Sequence, residues 1–432
     1  MNSVESNASE GERIHQLMTV LYPLFRSITG NGVRETLAIL KQYIPLETYE
    51  VPSGTRVFDW EVPREWNISE AYIKNSKGEK IVDFKKSNLH LMNYSIPVNL
   101  RVTLEELKKH LYYLPDYPDW IPYRTSYYKE DWGFCITYNQ YQTLQEDTYE
   151  VVIDGTLAPG SLTYGEVFLP GKTDDEVLIS THVCHPSLCN DNLSGIGVMT
   201  FLIQDLMKRK LRYSYRFVFI PATIGAITWL AINKENVTKV KHGLVATLLG
   251  DPGPFHYKRS RRANAEIDSI VEYVLRQDSS ENRMLDFFPY GYDERQFCSP
   301  GFNLPMGRLT RALYGEFPEY HTSGDNLDFV RPECLEESLG IYSKVIEILE
   351  GNKTYVSLNP YCEPQLGRRG LYDLTGGDVR GKDFQVALLW ILAYSDGTYT
   401  LLEIARQTEI SFATLKLAAD RLLEKGLLEE QI

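Results

Sequence analysis

The chain has 432 residues, of which 43% are hydrophobic and 24% charged, and a formal net charge of −13. That length suits roughly two to four globular domains. The acidic balance excludes broad binding to a phosphate backbone, though not a small basic patch. No apolar run reaches the ~20 residues of a membrane helix. The polar, acidic start from Met1 to Glu12 lacks the basic and apolar regions of a signal peptide. A cytoplasmic protein with no membrane partner is expected. The six cysteines, at 135, 184, 189, 298, 334 and 362, are too dispersed for a disulfide framework and suit a reducing compartment.

In chain order, residues 11–44 predict two helices, with Ile14, Met18, Leu21 and Phe25, then Leu37, Leu40 and Ile44, at helical spacing. Ser27-Ile-Thr-Gly-Asn-Gly breaks the pattern, with Thr29 or Asn31 as cap of the second helix. From Glu47 to Val98 short alternating runs, Thr48–Val51, Val57–Val62 and Glu70–Ile73, predict a small β-rich module. A short helix is expected over Thr103–Tyr112. Residues 113–150, rich in Pro, Tyr and Trp, carry no clear pattern.

Strand and helix then alternate. Glu176–Thr181 reads as a buried strand, Gly195–Lys208 as a helix, Tyr215–Ile220 as a strand, Gly225–Asn233 as a helix and Gly243–Leu249 as a strand. This order predicts an α/β fold with a mostly parallel sheet flanked by helices, whose ligands bind beyond the carboxyl ends of the strands. Pro360–Gly376 reads as a linker. Helices over Asp383–Tyr394, Thr400–Gln407 and Ser411–Glu424, closed by a strand at Gly426–Glu430, follow the order of a winged helix-turn-helix.

Polar motifs gather at the predicted strand ends. The first is Ser180-Thr-His182-Val-Cys-His185-Pro-Ser-Leu-Cys-Asn-Asp191-Asn-Leu-Ser-Gly195. Neutral imidazoles and a carboxylate suit Zn²⁺, and a loop can point His182, His185 and Asp191 at one place. The plainer alternative is a hydrogen-bonded histidine pair with Asp191 as a helix cap. Cys184 and Cys189 have no second cysteine pair nearby and are expected as small buried residues. Leu249-Gly-Asp251-Pro-Gly offers either a ligand or a turn. Tyr320-His321-Thr-Ser-Gly-Asp325 offers a last imidazole ligand with a carboxylate partner. Asp293 and Glu294 are either solvated acids or anchors for a substrate amine. In the basic run Tyr257-Lys258-Arg259-Ser-Arg261-Arg262 the choice is between an exposed loop and a site for an acidic group.

Together these stretches resemble the zinc aminopeptidases that also include glutaminyl cyclases. More closely, the whole chain resembles a bacterial aminopeptidase-like family with an inserted β module and a C-terminal winged helix, through Thr181-His-Val-Cys-His-Pro-Ser, Asn190-Asp-Asn-Leu-Ser-Gly, Tyr257-Lys-Arg-Ser and Tyr320-His-Thr-Ser. The resemblance implies an aminopeptidase-like domain over 1–48 and 126–358, an inserted module over 49–125 and a winged helix over 359–432. It implies metal ligation by Asp191 and His321, with His182 or His185 as the first imidazole and Asp251 as a further ligand or its neighbour. A small aminoacyl or peptide-like substrate would be held by Asp293 and Glu294 at its amine and by Tyr257, Lys258 and Arg261 at its acidic end.

One segment departs from the pattern. The zinc aminopeptidases carry two adjacent glutamates after the second strand, a general base and then a ligand, and the closer family reads Pro-Glu-Thr-Ile-Gly there. This chain has Pro221-Ala222-Thr223-Ile224-Gly225. Thr223 implies one zinc per chain rather than two. Ala222 removes the group that would take a proton from water, either in a natural non-catalytic member or by an introduced change. A rival reading is a ligand sensor whose winged helix reads DNA through Ser411–Glu424. Lys416, Arg421 and Lys425 are sparse for that task, and packing against the body or a second copy of the chain is the expectation.

Overall fold

The computed structural model describes residues 8–371 and 379–431 and divides into two units, Met1–Tyr342 and Ser343–Ile432. The first unit opens with α1 (Glu10–Leu21) and α2 (Asn31–Leu40). Ser9 and Glu12 cap α1 reciprocally, each side chain accepting the other's backbone N–H. Ile14, Leu17, Met18 and Leu21 form its buried stripe. Neither expected residue caps α2. Its cap is Gly30, at φ 97°, a conformation that disfavours a side chain, while the Thr29 hydroxyl meets the Tyr94 hydroxyl at 2.6 Å.

An eight-stranded sheet forms the centre of this unit. Its strands are β1 (Glu47–Pro52), β2 (Ser161–Leu169), β3 (Glu176–His182), β4 (Ser214–Ile220), β5 (Val240–Ala246), β6 (His256–Lys258), β7 (Arg283–Leu285) and β8 (Met306–Thr310). Their order is β1-β2-β4-β3-β5-β8-β6-β7. The inner four, β4, β3, β5 and β8, run parallel. All seven residues of β3 are buried, as expected of a strand covered on both faces. Helices α3 (Gly195–Leu206) and α4 (Ile224–Ile232) follow β3 and β4. From β3 the chain moves to β4 on one side and then crosses to β5 on the other. The carboxyl end of β3 is therefore a topological switch point, where α/β sheets open a crevice.

The small module differs from its expected outline. Its four-stranded antiparallel sheet joins Lys80–Asp83, Glu65–Lys74, Thr148–Ala158 and Val98–Thr103, so it extends past residue 125. The Thr48–Val51 run belongs instead to β1, paired with β2 at the edge of the main sheet, where Pro52 needs no ladder partner for its nitrogen. The helix expected over Thr103–Tyr112 is only Leu104–Lys108, and Leu111–Tyr112 pairs with Phe134–Cys135.

In the second unit, helices Val379–Tyr394, Leu401–Gln407 and Phe412–Glu424 accompany a sheet in which Thr354–Ser357 lies between Asp396–Thr400 and Leu428–Glu430. This is a winged helix, and its first strand begins ahead of residue 359. Part of the linker expected over Pro360–Gly376 lies outside the described residues. Among the described residues no helix is long and apolar enough to cross a membrane.

Folding leaves one histidine on β5 without water. Burial pushes the His242 imidazole down to about 4, with Arg212 adding to the shift and Asp175 opposing it. The unfolded chain takes up a proton near pH 6.5 and the folded chain does not. Stability is thus fully present above pH 6.5 and falls as pH drops towards 4, by up to ~3 kcal/mol. Urea unfolding of His242→Phe at pH 7 and pH 5 should show a smaller difference than in the native chain; an unchanged difference would remove His242 from the account.

Candidate metal centre

His182 ends β3, and the loop that follows carries His185 before the tight turn Cys189–Ser194 leads into α3. Each polar residue of that turn has a separate task. The Asn190 carboxamide donates to Asp251 Oδ2 at 2.9 Å and accepts from the Gly250 N–H at 2.8 Å. The Asn192 carboxamide donates to Thr181 Oγ1 at 2.8 Å and to the His182 carbonyl at 3.1 Å. Ser194 Oγ donates to the Asn190 carbonyl at 2.7 Å and accepts from the Leu249 N–H at 2.9 Å. These bonds fasten the turn to the ends of β3 and β5 and leave the Asp191 side chain free to face the histidines.

Asp191 is fully buried. His182 Nε2 lies 2.7 Å from its Oδ1 and His321 Nε2 lies 3.0 Å from its Oδ2. His185 Nδ1 lies 3.6 Å from Oδ1. The donor atoms of His182, His185 and Asp191 all fall within 4.8 Å of one another. Burial alone would raise the Asp191 carboxyl, but the facing imidazoles of His185 and His182 hold it well below the usual range. Burial drives His185 down to about 3, with Asp191 opposing, so its ring is a neutral base at pH 7. Neutral imidazoles and an ionised carboxylate are the forms that bind zinc. The Nδ1 atoms of both His182 and His185 are buried without a hydrogen-bond partner in the protein. A buried polar atom needs such a partner, and for His185 a cation among these donors would supply it. The donor set therefore fits zinc.

Aromatic rings wall the centre. Tyr292 stacks on His182 with centroids 5.4 Å apart, and Tyr320 stacks on His321 at 4.0 Å. Tyr123 stands edge-on to both His185 and His321. Tyr320 belongs to the Tyr320-His-Thr-Ser stretch, but nothing in the sequence assigns Tyr123 or Tyr292 this role among 29 tyrosines. His321 itself takes φ 55°, a left-handed conformation uncommon outside glycine and compatible with a functional position.

The other expected residues divide. Asp251 stays outside the cluster, because its carboxylate is occupied by Asn190 Nδ2 and by the N–H groups of Gly253 and Ala312. Asp325 does not partner His321. It accepts from the backbone N–H groups of Cys189, Asn190 and Asp191 at 3.2, 2.6 and 2.9 Å and so shapes the ligand turn. Asp293 and Glu294 are buried, not solvated. Burial pushes the Asp293 carboxyl up to about 7, with His182 opposing, and its Oδ1 has no hydrogen-bond partner. Glu294 forms an ion pair with Lys258, and neither of its oxygens has a hydrogen-bond partner.

Tyr257 and Lys258 point to opposite faces of β6, as neighbours on a strand must. Tyr257 is fully buried and its hydroxyl donates to Asp268 Oδ1 at 2.9 Å, which removes it from substrate binding. Lys258 is buried rather than part of an exposed loop. Arg261 is exposed and donates to Asn303 Oδ1 at 3.3 Å, so it is not placed to hold an acidic group at the centre. Ala222 sits just past β4, the strand next to β3, with its carbonyl 3.8 Å from Cys184 Sγ in the ligand loop. Burial pushes the Cys184 and Cys189 thiols upward, and among the described residues the clustered donor group consists of His182, His185 and Asp191 without either cysteine.

Residues 15–352 match a family model described as a domain of unknown function, DUF4910. The chain belongs to that family. Residues 353–430 match a winged helix-turn-helix model, in agreement with the second unit. A Clostridium acetobutylicum protein provisionally named for polysaccharide biosynthesis with an aminopeptidase-like domain is 52% identical over 433 residues, covering 99% of each chain. The crystal structure of a Clostridium acetobutylicum protein provisionally described as a peptidase superposes with a TM-score of 0.92 at 52% identity, covering 98% of this chain and 96% of the other. A Bacillus subtilis zinc aminopeptidase superposes with a TM-score of 0.57 at 11% identity, over 79% of this chain and 94% of its own, which establishes a shared fold. This DUF4910 member thus joins an aminopeptidase-like α/β domain to a winged helix.

Proposed function

We propose that the aminopeptidase-like domain is a zinc-dependent hydrolase centre for an amide or peptide bond of a small aminoacyl substrate, and that this chain lacks the proton acceptor the reaction needs at position 222. The observation that carries the reading is the convergence of three imidazoles on buried Asp191 at the switch point of the sheet, with His185 Nδ1 left unpartnered. His182, His185, Asp191 and His321 would hold one metal ion. When bound, zinc polarises a carbonyl and brings the pKa of water to about 7. Asp293, buried beside His182 and partly unpartnered, would receive the substrate amine. Glu294, ion-paired with Lys258, leaves that task to its neighbour. The tyrosine walls would exclude water and orient the substrate.

After loading with zinc and dialysis, the chain should retain about one zinc per molecule. Retention of none would contradict the reading, and retention of two would overturn the single-ion site.

For the winged helix we propose a protein contact rather than DNA. Lys416 is paired with Asp420 and Arg421 with Glu424, so two cations of the expected recognition helix are engaged within it. Val386, Leu389 and Leu417 on the same unit are exposed, which suits packing against a second copy of the chain. Mixed genomic fragments at ~100 mM salt should give no shifted band; a shift that weakens steeply as salt rises would favour the sensor reading.

A further inference from the structure

Beside the Tyr292 ring lies a buried group of charges formed by Lys258, Glu294 and Arg308. Lys258 and Arg308 are register partners on β6 and β8, so their side chains leave the same face of the sheet. Gly291, at φ 152°, makes room for the group. A Cβ there would fall 2.5 Å from Glu294 Oε1, 2.7 Å from Lys258 Nζ and 3.2 Å from Arg308 Nη1.

The charges do not balance. Lys258 Nζ donates to the carbonyls of Phe288 and Tyr290, each at 2.9 Å, and pairs with the Glu294 carboxylate. Two of its protons are used on carbonyls and its charge is neutralised by Glu294, although neither Glu294 oxygen has a hydrogen-bond partner in the protein. Arg308 is left over. Glu294 Oε1 lies 3.8 Å from its Nη1, and both Nε and Nη1 are buried without a hydrogen-bond partner in the protein. Its side chain is 4% exposed. A buried cation with unused donors is unfavourable unless an anion completes it. Its Cζ lies 5.3 Å from the centroid of Tyr292, the ring that also stacks on His182. Arg308 thus stands one tyrosine ring from the metal centre.

We propose that Arg308 anchors an anionic oxygen group, a carboxylate or a phosphate, on a ligand whose other end lies at the His182, Asp191 and His321 centre. This rests on the proposed reading of that centre as a metal site. It assigns an acidic substrate class and replaces Arg261 with Arg308 as the residue that selects for it. Arginine suits the task, because its planar fork matches carboxylate and phosphate oxygens.

The test uses the full chain loaded with zinc and three hydroxamates of similar length: neutral butyrohydroxamate, succinate monohydroxamate, and a phosphonate-bearing analogue. Calorimetry should show at least one acidic compound binding about ten-fold or more tightly than the neutral one. The acidic compound with the larger gain identifies the ligand's anionic group. Arg308→Met should abolish the gain while leaving zinc content and neutral hydroxamate affinity unchanged, and Arg308→Lys should keep part of it. Equal affinities in the native chain would overturn the proposal without any variant, as would a gain that survives in Arg308→Met. Titrations of the metal-free chain with succinate and with inorganic phosphate keep the two readings apart. If the chain takes up no zinc, the metal centre fails, and loss of the tighter of these two in Arg308→Met still supports the anion site. If neither binds, or binding is the same in Arg308→Met, the anion site fails.

Discussion

Ala222→Glu, loaded with zinc, should hydrolyse at least one member of a panel of aminoacyl amides ~10²–10⁴ times faster than the native chain, the usual contribution of a positioned proton acceptor. Position 222 follows β4, next to the strand that delivers His182, and its carbonyl approaches Cys184 of the ligand loop. Alanine can take no proton, while the imidazoles and Asp191 are in place. The gain should vanish when Asp191→Ala is added, because the carboxylate that gathers the imidazoles is then lost. A zinc-loaded Ala222→Glu chain that gains nothing across the panel would sink the hydrolase reading and leave a binding site.

The second large effect is expected at a residue that touches no substrate. Asp325→Ala removes the acceptor of three backbone N–H groups, those of Cys189, Asn190 and Asp191. Leaving buried donors unpaired should cost ~3 kcal/mol of stability. Because the same turn aims Asp191, zinc affinity should also fall, by ~10–100-fold, as when groups that orient metal ligands are lost. Denaturant unfolding and competition with a chelator report the two effects separately. A stable variant with native zinc affinity would show that the turn holds its shape without Asp325.

These two residues also mark how far the sequence could be read. The parallel core was legible because β3 and β5 carry short apolar runs, with the His182, His185 and Asp191 motif past the first and Asp251 past the second. The structure brings His182, His185, Asp191 and His321 together, where the sequence leaves His182 or His185 open as the first imidazole. The roles of Asp325 and Asp251 were not legible, since a carboxylate that ligates a metal and one that accepts backbone N–H groups look alike in sequence. Arg308 was hidden for a related reason. It lies inside β8, a five-residue strand in which every residue is buried and no alternation appears. Its pairing with Lys258 depends on register between distant segments. The small module was misjudged at its edges because its fourth strand, Thr148–Ala158, follows a stretch without clear periodicity.

The most direct measurement is diffraction from zinc-soaked crystals at the zinc absorption edge. The account predicts one anomalous peak per chain, ~2.0–2.2 Å from an Asp191 oxygen and from imidazole nitrogens of His321 and of His182 or His185. No peak at Asp191, or a peak only at other residues, would contradict it.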